Sequence, residues 1–286
     1  MKINFFLPGF YENFRLITTL ADMMGDEPGL FFDNIRIGAA YGCFPGSIWN
    51  GGRVILGSAT RQEMEYAIEE YNKRGIAVRY TFTNPLLQKV HLPDTYCNQC
   101  MELGDNGKNE VIVNSPLLED FIRKMYPGYA LISSTTKCLN DMDAVRGELE
   151  KDYRYVVLDS AMNNTQELFQ MPHREKLELI ANHYCADDCP RRRDHYKAVG
   201  KCQLEFSELK FEKCANINRE FYQIMENRSF ITADDIMGRY YDAGLRNFKL
   251  DGRGFNRYKV LESFVYYLVK PEHRDRVRLR LLKKCF

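Results

Sequence analysis

At 286 residues, 45% of them hydrophobic and 28% charged, the chain is long enough to bury a core without disulfide staples, and its composition is that of a globular protein. A formal net charge of +1 gives no global field for nucleic acid or acidic membrane, so a nucleic-acid partner is left open but is not signalled by charge. No run reaches the roughly eighteen apolar residues that a membrane helix needs, and the nine cysteines are an odd number at low density, which excludes a small disulfide scaffold.

The first apolar run, residues 2–7, is too short for a secretion signal and reads as a strand. With free thiols, it points to a reducing, cytoplasmic location. A helix-like pattern over 11–24 follows, then a second strand over 34–38. That strand leads into Gly42-Cys43-Phe44-Pro45-Gly46 and Trp49-Asn50-Gly51-Gly52-Arg53. Thr60 and Glu63 have capping-box spacing, so a helix opens there, runs to about Arg74 and stops at Gly75. The third strand is 76–82. Tyr96, Cys97, Cys100, Met101 and Leu103 recur at helical intervals, which makes Cys97 and Cys100 one buried helix face.

The fourth strand is 111–114; Ser115-Pro116 then supplies a cap and a first-turn proline for a helix over 117–125. Strands follow at 129–133, 155–158 and 176–181, separated by helical patterns at 140–149 and 163–170. A cysteine-bearing insertion spans about 182–228. Thr232 caps a further helix that stops at Gly244; strand eight is 248–250, and a tyrosine-rich helix closes the pattern at 258–269. Eight strands alternating with helices is the count of a (β/α)8 barrel, here one domain over 1–286; a doubly wound sheet is the alternative.

Barrel chemistry sits at the carboxyl ends of strands. Those positions carry Cys43, Asn50 and Arg53 after strand two, Asp159 after strand six, His183 and Cys185 after strand seven, and Lys249, Asp251 and Arg253 at strand eight. Asn84, Asn114 and Ser134 also fall at strand ends, where they can simply cap helices. Thiolates are soft ligands for iron–sulfur clusters or zinc, so Cys185 and Cys189 form a candidate metal pair, with Cys214, Cys202 and Cys43 as candidate partners. The alternative for each is a small buried hydrophobe, weighing most at Cys43 and least at Cys185 and Cys189. The third cysteine of a C-x3-C-x2-C radical motif is absent, because Arg192 stands there. His183 fits a ligand, a proton donor or a core histidine; Arg53, Lys249 and Arg253 fit an anionic substrate or internal ion pairs. No H-E-x-x-H or G-x-S-x-G motif supports peptidase chemistry.

Phe248-Lys249-Leu250-Asp251-Gly252-Arg253-Gly254, preceded by Ser229 to Asp235 and by Asp242-Ala243-Gly244, resembles the collagenase-like peptidase family U-32. Asn114 to Leu118, Tyr126 to Ser134, and Tyr66-Ala67 with Arg74 to Val78 are similar to it as well. The resemblance implies a barrel and, from its better understood members, oxygen-independent hydroxylation of ubiquinone precursors or RNA bases with a four-iron cluster on four cysteines. It places Cys185 and Cys189 where members carry cysteines after the strand-seven histidine, and Cys43 near a strand-two cysteine. The chain departs from the pattern at Asp251, where glutamate is usual, and at Asp187-Asp188-Cys189-Pro190, which replaces S-G-R-C.

The expectation is therefore a 4Fe-4S or zinc protein. Cys185, Cys189 and Cys214 would hold the metal with a fourth thiol. A small aromatic or nucleobase substrate would be oriented by Asp251, Arg253 and His183, with Arg53, Asn50, Lys249 and Asp159 around it. An electron donor or partner protein would complete the system. A cysteine or zinc-water hydrolase and a non-catalytic barrel with a structural metal are the alternatives.

Overall fold

The computed structural model describes residues 2–187, 189–209, 214 and 219–286, so parts of the expected insertion lie outside the described residues. Eight parallel strands close into a barrel in chain order: β1 Ile3–Pro8, β2 Ile35–Gly42, β3 Ala77–Phe82, β4 Glu110–Val113, β5 Ala130–Ser133, β6 Tyr155–Val157, β7 Leu177–Ile180 and β8 Asn247–Lys249. The helices are α1 Phe14–Asp26, α2 Arg61–Lys73, α3 Thr95–Gly104, α4 Pro116–Met125, α5 Met142–Leu149, α6 Gln166–Gln170, α7 Arg192–Leu204, α8 Phe221–Ile224, α9 Ala233–Asp235, α10 Arg257–Leu268 and α11 Arg274–Cys285. A π-helical turn, Ile236–Tyr240, continues α9. The expected (β/α)8 barrel is present.

Both faces of each strand are covered, so the strands read as continuous apolar runs, as in Ile-Asn-Phe-Phe-Leu-Pro of β1, which is buried throughout. The capping box at Thr60 forms as expected, and Gly75 ends α2 in a left-handed conformation at φ 70°. Strand β2 runs four residues beyond the expected end at Gly38. That glycine marks an irregularity instead: the β1–β2 register shifts between Phe5 and Phe6, and a Cβ at Gly38 would stand 2.8 Å from the Phe6 ring.

The barrel interior has a charged layer and an apolar one. Arg79 is fully buried and donates to Glu110 and Glu178 at 2.6 Å each, with its guanidinium 3.8 Å from the Phe6 ring centre. Two residues further along their strands, toward the carboxyl ends, Ile112 and Ile180 join Ile132 and Val157 in an apolar layer. Above that layer opens the mouth.

Candidate active site

Strands β7 and β8 are neighbours, and the residues that follow them meet across the mouth. Asn182 joins the two loops: its Oδ1 accepts from the Asp251 amide at 2.6 Å, and its Nδ2 donates to the Asp251 carbonyl at 3.2 Å and to Ser263 Oγ at 3.1 Å. This clamp brings His183 Nδ1 to 3.5 Å from Asp251 Oδ2. On the other side of that oxygen stands Arg53 Nη2, at 3.6 Å. Asp251 Oδ1 accepts from the Gly252 amide, whereas the buried Oδ2 has no hydrogen bond. Both flanking distances exceed a normal charge-assisted bond, so Oδ2 is held between two donors without being satisfied by either.

The charges follow from this arrangement. Burial would raise the Asp251 carboxyl, but Arg53, His183 and Arg253 hold it well below the usual carboxylate range. Burial would lower His183, but Asp251 and Cys185 raise it to about 9. The Cys185 thiol lies beside that imidazole; burial would raise it, yet His183, Arg192 and a hydrogen bond with Cys189 bring it below its ordinary value. The mouth thus holds a thiolate-prone cysteine, an imidazolium and a carboxylate in a row.

Two residues expected to meet substrate are committed to structure. Arg253 Nη1 donates to Asn50 Oδ1 at 3.0 Å and Thr81 Oγ at 2.7 Å, and its Nη2 donates to the Gly51 carbonyl at 2.9 Å. Asn50 also donates to the Arg53 carbonyl at 2.7 Å, so Arg253 and Asn50 together seat the loop after β2. Gly51 is required there, because a Cβ would lie 2.6 Å from the Thr83 carbonyl. Arg53 keeps a more open guanidinium, with 30% of its side chain exposed.

Asp159 faces a different space. It caps Ala161 and is held by Arg192, whose Nη2 donates to the Ala186 and Asp187 carbonyls. Arg192 and Asp159 therefore anchor the cysteine loop to β6. They line a cavity of about 640 Å³ beside the mouth, together with Cys138, Cys189, Arg193 and Arg228. The mouth itself is a smaller cavity of about 60 Å³, lined by Tyr41, Arg53, Thr81, His183, Lys249 and Asp251 among others.

Of the five cysteines considered as ligands, Cys185 and Cys189 share one loop, and Cys189 helps to lower the Cys185 thiol. Cys43 is elsewhere: it is fully buried in the main core, near Cys100 and Glu12, and burial pushes its thiol far up. Cys202 donates to the Glu208 carbonyl at 3.6 Å, and Cys214 is half-buried. Among the described residues no three His, Cys, Asp or Glu side chains are grouped to hold a metal ion. The described residues thus do not assemble the expected four-thiol set.

Three residues of the site are not evident from the sequence. Tyr41 and Tyr196 line the mouth, and Arg192 fixes the cysteine loop. Arg192 stands out in the chain only as part of a basic run. The usable signal is helical spacing: Arg192, Tyr196, Gly200 and Gln203 are all buried on α7.

No family model and no curated protein matches the sequence. A solved structure described as the U32 peptidase Mk0906 is similar over 88% of this chain and 93% of that chain, with a TM-score of 0.57 and 15% identity. At that identity the likeness speaks for the fold: the barrel is U32-like.

Proposed function

We propose that this chain is an enzyme working at the carboxyl-end mouth of its barrel, with Cys185 as nucleophile, His183 as its proton partner and Asp251 orienting the imidazole. The row Cys185–His183–Asp251, with Asp251 Oδ2 held 3.5 Å from His183 and 3.6 Å from Arg53, carries this reading. The reaction class it serves is acyl transfer or hydrolysis. The thiolate adds to an acyl carbon, the imidazolium gives its proton to the leaving group, and water then cleaves the thioester with the imidazole as base. Arg53 is the cation open to a substrate anion. A panel of small thioesters and activated esters tests it: turnover should vanish in Cys185→Ser and persist in Cys189→Ser. Turnover that ignores Cys185 sinks the reading.

The influence of Cys189 on the Cys185 thiol also favours a second reading. Here the two thiols are ligands of an iron–sulfur cluster or a zinc ion, completed by Cys214 or Cys202, in an oxygen-independent redox or hydroxylation enzyme acting on a small aromatic or nucleobase substrate. The cluster would supply one-electron chemistry from an external donor. Anaerobic purification with iron, sulfide and zinc counts separates the two. Stoichiometric metal that is lost in Cys189→Ser replaces the thiol reading, and metal-free protein with Cys185-dependent turnover removes the second.

A further inference from the structure

Lys249 is the one lysine among the described residues that is buried, at 7% exposure. It ends β8 and pairs in register with Ile180 and Phe6, so it stands on the interior face, level with the apolar layer and lining the mouth. Its Nζ lies 4.1 Å from the centre of the Tyr41 ring. Among the described residues it has no hydrogen bond and no carboxylate at ion-pair distance. The two acids that pull on it lie beyond ion-pair distance and face other cations: Glu178 gives Oε2 to Arg79 at 2.6 Å and Asp251 stands between His183 and Arg53, while Glu178 Oε1 and Asp251 Oδ2 have no hydrogen bond. A buried ammonium without a partner is costly, whereas a neutral amine in the same place is a nucleophile with its lone pair free.

Burial, helped by Arg79 and Arg253 and opposed by Glu178 and Asp251, brings the Lys249 pKa down to about 7. Near neutrality, then, a large share of the amine is unprotonated. The cavity of about 60 Å³ is small. At roughly 10–15 Å³ per water it takes a handful of heavy atoms, the size of a three- or four-carbon acid. Around the amine stand the hydroxyl residues Thr81, Thr83, Ser134 and Thr136, and the guanidinium of Arg53.

We propose that Lys249 forms an imine with a small carbonyl compound that carries an anionic group, of the 2-oxo acid class, bound in the barrel mouth. The amine adds to the carbonyl carbon to give a carbinolamine. The hydroxyl then takes a proton from solvent and leaves as water while the C=N bond forms, and the resulting iminium nitrogen returns a proton to solvent. Nothing is oxidised or reduced: amine and carbonyl become imine and water. Arg53 holds the carboxylate, and the Tyr41 ring face favours the cationic iminium formed as water leaves. This proposal goes beyond the thiol reading and does not depend on Cys185.

Reductive trapping tests it. Wild-type protein is incubated with pyruvate and sodium cyanoborohydride near neutral pH, which delivers hydride to the imine carbon and leaves a stable secondary amine. Intact mass and peptide mapping then locate the adduct. A single adduct should form on Lys249, at least about tenfold faster than on the exposed Lys73, because only the unprotonated amine reacts. It should be missing from Lys249→Met and present at wild-type level in Cys185→Ser. Pyruvamide, a 2-oxo ketone without the negative charge, should label Lys249 more slowly. Labelling spread evenly over exposed lysines, or none at Lys249 in the wild type, overturns the proposal; equal rates for the two probes overturn its anionic part.

Discussion

The mouth of this barrel holds two side chains that lose their protons more readily than they do in water. Cys185 is pulled toward thiolate and Lys249 toward the free amine, and each can be checked alone. For Cys185, the imidazolium that supports the thiolate persists until the pH passes about 9. Iodoacetamide should therefore alkylate it faster at about pH 7 than it does an ordinary thiol of pKa about 8.5. His183→Ala should slow that reaction at least about tenfold at the same pH and leave the rate near pH 9 much less affected. A flat profile across these variants would leave the thiol unsupported. For Lys249, the folded pKa of about 7 lies below the 10.5 of an exposed lysine. Between those values the unfolded chain binds a proton that the folded chain does not, so stability rises with pH over that window and the full cost applies below about 7. Lys249→Met should thus be more stable than wild type near pH 6. The gain is at most on the order of 1.4 kcal/mol for each pH unit that separates the folded from the unfolded pKa, and it closes as pH approaches the free-lysine value. Urea titrations at two pH values measure it. A variant less stable than wild type near pH 6 would make Lys249 a structural cation.

Helix α7 is the element that turns a barrel end into a site, and it is the one the sequence hid. Its apolar pattern is thin, because it docks through polar and small residues: Arg192 to Asp159, Gln203 to the Ile55 backbone, and Gly200 against Asn84. Apolar periodicity alone does not reveal such a helix. Strand ends were legible for a related reason: a parallel strand covered on both faces is an apolar run that stops sharply at polar residues. Hence Lys249, Asp251, His183 and Cys185 fall at one rim in the sequence pattern alone. What could not be read was which of the rim cations stays open. Arg253 and Arg53 are alike in sequence, and only the fold commits one to Asn50, Thr81 and Gly51 and leaves the other facing Asp251. The role of α7 makes Gly200 a sensitive position. A Cβ there would stand 2.4 Å from Asn84 Oδ1 and 3.1 Å from Pro85 Cδ. Gly200→Ala should cost roughly 1–3 kcal/mol through overpacking and move the helix that carries Arg192 and Tyr196. Chemical denaturation gives the cost, and faster proteolysis within α7 reports the movement; wild-type stability with unchanged proteolysis would mean that Asn84 gives way freely.

Across the whole molecule, stability and chemistry are divided along the barrel axis, and the division leaks at one point. The Arg79–Glu110–Glu178 group lies beneath the apolar layer, deep in the barrel, while the mouth residues lie above it. Removing the cation strands buried carboxylates, although Glu110 retains Arg154 at 2.9 Å. Arg79→Met should destabilise the fold by about 3–5 kcal/mol in chemical denaturation, the usual result of breaking a buried pair from one side. The alkylation rate of Cys185 should be unchanged in the protein that remains folded, since among the described residues Arg79 makes no hydrogen bond or ion pair with the cysteine loop. Lys249 should respond. Arg79 lowers its pKa and Glu178 raises it, so losing Arg79 both removes a repulsion and frees a carboxylate to pull on the amine. The amine then stays charged to higher pH, and pyruvate trapping near neutrality should fall while the pH profile of labelling moves upward. Adding Glu178→Gln to Arg79→Met removes that pull and should restore trapping in part. A labelling profile that does not move in Arg79→Met would show that the charged layer is insulated from the mouth, and that Lys249 owes its state to burial alone.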